Sequence, residues 1–174
     1  VKNIAYLKQT GVGEPIERTD RRKVFMAVIF SRACEYALRG LVCMAGHLDK
    51  RNWTIPEIAK QSSSPAPFLA KTFQLLVKGR VLNSSKGRQG GFSFARRAND
   101  IYLIDIVNII DGTRLTHDCA LGLPDCNDDN PCPFHVHWRR IRTPIIEALS
   151  EESLAELAQK WESQRGAPFG IVSA

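Results

Sequence analysis

The sequence predicts a mainly α-helical fold with one small β-hairpin, arranged as a winged helix-turn-helix with further helices after it. Two observations carry this. Two short helical segments are joined by a tight polar turn, and a glycine-rich turn separates two short strand-like runs directly afterwards. A third observation, a loop holding three cysteines before the last helices, marks where the pattern changes.

Each element has its own local reason. From Ser31 to Leu48, the residues Tyr36, Leu38, Leu41, Val42, Ala45 and Leu48 recur at threes and fours, the period of a helix with one apolar face. Ser31 suits the N-cap and Glu35 falls in the first turns. After the polar turn 49–52, Thr54 can cap a short helix over Pro56 to Gln61. Pro56 lies near its first turn, where a missing N–H costs nothing, and Glu57 completes a capping box. Ser62, Ser63, Ser64 and Pro65 form the next turn. A second helix is expected over Ala66 to Lys78, with Phe68, Leu69, Phe73, Leu76 and Val77 inward and Gly79 as its stop. The wing follows: a strand at Val81 to Ser84, a turn over 86–91 with three glycines, and a returning strand at Phe92 to Ala95. Ile104 to Ile110 is again helical. Beyond the cysteine loop a helix begins at His135 or His137 and runs to Leu149, with Pro144 as a possible break. Ser150 is expected to cap a last helix, Glu151 to Lys160. The chain thus divides into an extension over 1–25, a winged helix-turn-helix over 26–100, a loop and helices over 101–162, and a loose tail over 163–174. Residues 1–25 have no clear period, and Met26 stands as a candidate alternative start.

The formal net charge is +6, from 24 basic and 18 acidic residues, which is compatible with a polyanionic partner. Its placement is more informative. The second helix of a helix-turn-helix pair enters the major groove of double-stranded DNA. That assigns contacts to Ser62, Ser63, Ser64, Pro67, Lys71, Thr72, Gln74 and Lys78. The wing adds Lys86, Arg88 and Gln89 on a slim glycine-rich tip suited to the minor groove. The bland alternative is a winged helix used for protein contacts, with a solvated basic face. No apolar run approaches the 18 or so residues a membrane helix needs, and the N-terminus lacks the apolar core of a secretory signal. A cytoplasmic protein without membrane contact is expected.

Five cysteines, an odd number, argue against a disulfide scaffold. Cys34 and Cys43 lie in apolar helical sequence and read as core. Cys119, Cys126 and Cys132 lie in one loop, with His135 following the last after two intervening residues, and His117 and His137 as spare ligands. Thiolates and imidazole in so short a span suit zinc or an iron–sulfur cluster. The spacing is not the C-x-x-C knuckle of most structural zinc sites. No nucleotide-binding glycine motif or acid–base pair accompanies the loop, so a metalloenzyme is the distant alternative and no enzyme is expected.

The stretches SRACEYALRGLVCMA (31–45), TIPEIAKQSSSPAPFLAKTFQLLVKGRVLNSSKGRQGGFSFAR (54–96) and IYLIDIVNIIDG (101–112), with the cysteine loop and SLAEL (153–157), resemble the iron–sulfur winged-helix transcriptional regulators typified by IscR and NsrR. The resemblance covers roughly residues 26–160. It implies a homodimeric DNA-binding regulator, expected to be a repressor. The helix from about His137 to Leu149 is then the long dimerisation helix, and each dimer binds a palindromic operator. It implies a cluster on Cys119, Cys126 and Cys132, with [2Fe-2S] preferred over [4Fe-4S] and zinc the alternative metal. The fourth ligand varies in the family, and the resemblance offers two positions: His135, or Glu35 donated by the partner subunit. One four-coordinate iron cannot use both, and the first cysteine gap is one residue longer than in the cluster-assembly members. Glu35 has a plainer role open to it, pairing with Arg39 one turn on. The signal implied is redox state, nitric oxide or iron–sulfur status. A zinc-stabilised or cluster-free cysteine-redox regulator is the alternative.

Overall fold

Helix α1 spans Arg32–Ala45 because its N-cap is well made and its apolar stripe has a core to meet. The Ser31 hydroxyl accepts from the Cys34 N–H at 3.1 Å. In the computed structural model, which describes residues 29–87 and 90–165, α1 ends three residues before the expected Leu48, and Leu48 is exposed. The expected extension over 1–25, Met26, the tail beyond 165 and the wing-tip residues Arg88 and Gln89 lie outside the described residues.

Helices α2 (Ile55–Gln61) and α3 (Ala66–Lys78) form the helix-turn-helix. At the start of α2 the Thr54 N–H and hydroxyl both donate to the Glu57 carboxylate, at 2.9 and 2.8 Å. The turn is a helix-stop motif. Ser63 takes a positive φ of 50°, and the Ser64 N–H returns to the Ala59 carbonyl at 3.0 Å. The end of α3 repeats the device. Here Gly79, the expected stop, has an ordinary φ of −78°, and the left-handed residue is Arg80, with φ 57°. The Arg80 N–H bonds the Val77 carbonyl and the Val81 N–H bonds Leu76. What position 79 requires is smallness: a Cβ there would lie 2.6 Å from Ile109 Cδ1 on the next helix.

The wing pairs β1 (Leu82–Ser85) antiparallel with β2 (Gly91–Phe94), in the register Leu82↔Phe94 and Ser85↔Gly91. It starts one residue later than expected. Trp53, between α1 and α2, adds a bridge to its inner edge: Trp53 N–H donates to Phe92 O at 2.9 Å and Phe92 N–H to Trp53 O at 2.8 Å. Gly91 permits the approach, since a Cβ would stand 2.6 Å from the Trp53 carbonyl oxygen. The hairpin is thereby fastened to the body instead of standing on its turn alone.

Next come a 3₁₀ turn (Ala98–Asp100), α4 (Leu103–Asp111), a short α5 (Arg114–His117), the loop 118–134, α6 (His135–Glu151) and α7 (Leu154–Arg165). The 3₁₀ turn and α5 were not expected. Asp111, the last residue of α4, accepts from the Ser31 N–H at 2.8 Å and from the Ser31 hydroxyl, joining the start of α1 to the end of α4. Pro144 does not interrupt α6; it lies on the exposed side, where water can satisfy the carbonyl it leaves unpaired. Ser150 lies inside α6 and caps nothing. The break falls at Glu152, and Ser153 is the cap of α7, donating to Glu156 through N–H and hydroxyl at 2.9 and 2.7 Å. Leu154 N–H to Ile101 O and Leu103 N–H to Glu152 O hold this turn beside the start of α4.

One buried cluster runs through the chain, from Ala37 and Leu41 on α1 through Trp53, Ile58, Phe73, Val81, Phe92 and Ile106 to Leu154 and Ala158 on α7. Phe73 and Phe92 meet edge to face at 5.4 Å. A second cluster, Cys34, Val107 and Leu149, with Ile145 and Leu115 against it, seats the far end of α6 on α1 and α4. No helix among the described residues is long and apolar enough to cross a membrane.

Candidate functional site

The cysteine loop is shaped by turns that its own sequence dictates. Asn127 Oδ1 accepts from the Asp129 and Asn130 N–H groups at 2.9 and 2.8 Å. Gly122 N–H returns to Cys119 O, Cys126 N–H to Leu123 O, and His135 N–H to Cys132 O. These reversals bring the Sγ atoms of Cys119, Cys126 and Cys132 within 4.8 Å of one another. Cys119 and Cys132 are 3.6 Å apart, and His135 Nδ1 stands 3.3 Å from Cys126 Sγ. The three thiols therefore form one close group, with the His135 ring against its Cys126 side. A cavity of about 200 Å³ opens beside them, lined also by His117, Trp138 and Arg142.

The thiols differ in their surroundings. Backbone N–H groups of Leu123 and Leu121 draw the Cys119 thiol down to about 7. Cys126 is helped by the Cys132 N–H, but desolvation and the neighbouring thiols outweigh that and push it up. Cys34 and Cys43, read as core from the sequence, are fully buried, and burial pushes them up to about 12 and about 11.

The loop is strapped to the first turns of α6 by one helix face. His135, Trp138, Arg139 and Arg142 follow the i, i+3, i+4, i+7 rule. Trp138 Nε1 and Arg142 donate to the Asp118 carbonyl at 3.1 and 3.3 Å, and Arg139 reaches Asp128 at 2.8 Å. The spare histidines take other partners: His117 contacts the Thr116 hydroxyl at 2.7 Å, and His137 stacks on Phe134. Within one chain Glu35 is outside the thiol group, and its carboxylate pairs with Arg32 at 3.1 Å, where Arg39 was the alternative partner.

On the helix-turn-helix, Pro67, Lys71, Gln74 and Lys78 form one exposed stripe along α3, with Ser63 exposed at its start and Lys86 on the wing. Ser62, Ser64 and Thr72 must be withdrawn as side-chain contacts, because they are 2%, 7% and 3% exposed. The Ser64 hydroxyl donates to Ser62 O and that of Thr72 to Phe68 O, so both are spent inside the helix pair. Phe68, expected inward, is 55% exposed and tilts against Tyr36 at 5.9 Å.

A winged helix-turn-helix with a convergent thiol loop is the architecture of a transcriptional regulator able to bind metal. The comparisons agree. The family model for Rrf2, described as "Iron-dependent Transcriptional regulator", matches residues 30–160, and the chain belongs to that family. It is 34% identical over 132 residues to a protein of Aquifex aeolicus described as an HTH-type transcriptional regulator, covering 75% of this chain and 91% of that one. It is 24% identical to the regulator IscR of Xenorhabdus nematophila over 127 residues, covering 73% and 77%. Among solved structures, T. potens IscR superposes with a TM-score of 0.64 at 23% identity, covering 82% and 94%. CymR, the global cysteine regulator of B. subtilis, superposes at 0.62 and 21%, covering 75% and 96%. At those identities the structures speak for the fold.

Proposed function

We propose that the protein is a homodimeric regulator whose binding to a palindromic operator is set by a [2Fe-2S] cluster on Cys119, Cys126, Cys132 and His135. The observation that carries this is the convergence of the donors. Two thiolates on one tetrahedral metal, each about 2.3 Å from it, lie roughly 3.8 Å apart, and Cys119 and Cys132 stand at 3.6 Å. Cys126 lies within 4.8 Å of both, and His135 Nδ1 stands 3.3 Å from Cys126 Sγ, so one compact set of thiol and imidazole donors faces the cavity; the two-iron form is the one the family resemblance favours. When bound, the cluster supplies an iron centre responsive to redox state, nitric oxide or iron supply. A single zinc is the second reading, favoured by the closeness of all three sulfurs.

The residues that strap the loop to α6 give the site its leverage. α6 exposes Val136 and Ile141, at 48% and 52%, on a helix buried only at Leu149. Five residues apart, the two lie about 140° round the helix from each other, and the Ile141 side is the one that suits a second copy of the same helix. Loop order would then bear on the dimer, and through it on the spacing of the two α3 helices, which must match half-sites about one helical turn apart or a multiple. Operator affinity should differ between the cluster-loaded and cluster-free protein, and Cys126→Ala should fix the cluster-free value. Equal affinity in all three states would end the switch reading. Glu35, already paired on α1, is dispensable here: Glu35→Gln should keep the cluster.

A further inference from the structure

Besides its contact with Cys126, the His135 ring touches a second side chain of the loop. Its Nε2 lies 2.9 Å from Asp128 Oδ1, and the same oxygen accepts from Arg139 Nη1 at 2.8 Å. His135 and Arg139 are four residues apart on α6, so both reach the loop from one face. Asp128 is two residues past Cys126, in the turn built by Asn127. The chain of contacts therefore runs from Arg139 to Asp128 to His135 to Cys126. As a surface ion pair it would be worth little, since the Asp128 side chain is 74% exposed. Its effect lies in direction. A carboxylate paired with the Arg139 guanidinium at 2.8 Å accepts and does not donate. The shared hydrogen must then sit on Nε2. A neutral ring with its hydrogen on Nε2 turns the Nδ1 lone pair to Cys126 and the metal-facing side.

We infer that Asp128, held by Arg139, is a positioning residue that fixes the tautomer and ring orientation of His135 so that Nδ1 can ligate the metal. This rests on the cluster reading above. A carboxylate behind a ligating imidazole tightens metal binding by orienting the ring and raising its basicity, and loss of such a group costs about 10–100-fold in affinity.

The test compares the full-length protein, purified anaerobically, as wild type, Asp128→Ala, Asp128→Asn, His135→Ala and Arg139→Ala. Iron and sulfide content, visible circular dichroism, and the rate of bleaching by excess chelator are recorded, with far-UV circular dichroism as the check on folding. Asp128→Ala should bleach about 10–100-fold faster than wild type and shift the visible spectrum toward that of His135→Ala. Asp128→Asn, whose Oδ1 can still accept, should fall between, and Arg139→Ala should move less in the same direction. Wild-type spectrum and bleaching in Asp128→Ala, beside a changed His135→Ala, would overturn the role of Asp128 and leave the cluster reading intact. A His135→Ala protein identical to wild type would overturn it by removing the ligand. Wild type without iron and sulfide after reconstitution would end the cluster reading itself. Nitrogen NMR of the metal-free wild type gives an independent result: hydrogen on Nε2 of His135 is expected, and hydrogen on Nδ1 would overturn the inference.

Discussion

Lys71 and Thr72 are neighbours on α3, and the structure separates their roles sharply. Lys71 is exposed in the stripe with Pro67, Gln74 and Lys78, while Thr72 is 3% exposed with its hydroxyl on the Phe68 carbonyl. If α3 lies in the major groove, Lys71→Ala removes one phosphate contact per half-site, two per dimer. At about 0.9 counterions per contact, the slope of log K against log salt should flatten by roughly 1.8, and affinity at 0.15 M salt should fall about 30-fold. Thr72→Val should leave that slope unchanged and lower stability by about 1 kcal/mol through the lost buried hydrogen bond. Fluorescence anisotropy of a labelled operator across a salt series, with thermal unfolding of both variants, reads the two effects separately. An unchanged slope for Lys71→Ala, or a flattened one for Thr72→Val, would refute the orientation of α3 on DNA.

Other perturbations follow from packing and charge. Gly91→Ala should cost about 2–3 kcal/mol, because the new Cβ meets the Trp53 carbonyl and both Trp53–Phe92 hydrogen bonds are put at risk; urea unfolding measures it, and a neutral result would mean the wing does not need that bridge. Glu57 is drawn down to about 2 by Lys50 and by the Thr54 N–H and hydroxyl. Its folded value is depressed, so its contribution is full above the ordinary value of 4.5 and is lost as pH falls toward about 2. Glu57→Gln should therefore be less stable than wild type at pH 7 and converge with it in acid, and a constant difference across pH would contradict this. Ile141→Asp, at a 52% exposed position, should leave the fold intact and convert dimer to monomer in sedimentation; a persisting dimer would place the interface elsewhere.

Much of this was legible in the sequence where the physics is local. Ser31 caps α1 as its type and position require, and Thr54 with Glu57 makes the expected start of α2. The glycine-rich turn marked the wing, and three cysteines in fourteen residues marked a loop able to gather its thiols. What was not legible depends on neighbours distant in the chain. Ser62, Ser64 and Thr72 carry groups that could read bases, and only packing of α2 against α3 shows them buried. Gly79 looked like a stop by virtue of its backbone freedom, whereas Ile109, thirty residues on, is what excludes a side chain there. Ser150 was the expected cap of the last helix; the bridge between Tyr102 and Ser153, distant in the chain, moves it to Ser153. Asp128 offered no signal at all among the acidic residues of the loop until α6 brought His135 and Arg139 over it.

The central claim is that this loop holds a two-iron cluster, and metal analysis tests it most directly. The protein should be purified without oxygen and its visible spectrum recorded, with iron, acid-labile sulfide and zinc determined on the same sample. Equal iron and sulfide, with the absorption of a [2Fe-2S] centre and no stoichiometric zinc, is the predicted result. A colourless protein with one zinc per chain, or one that takes up no iron on anaerobic reconstitution, would contradict it.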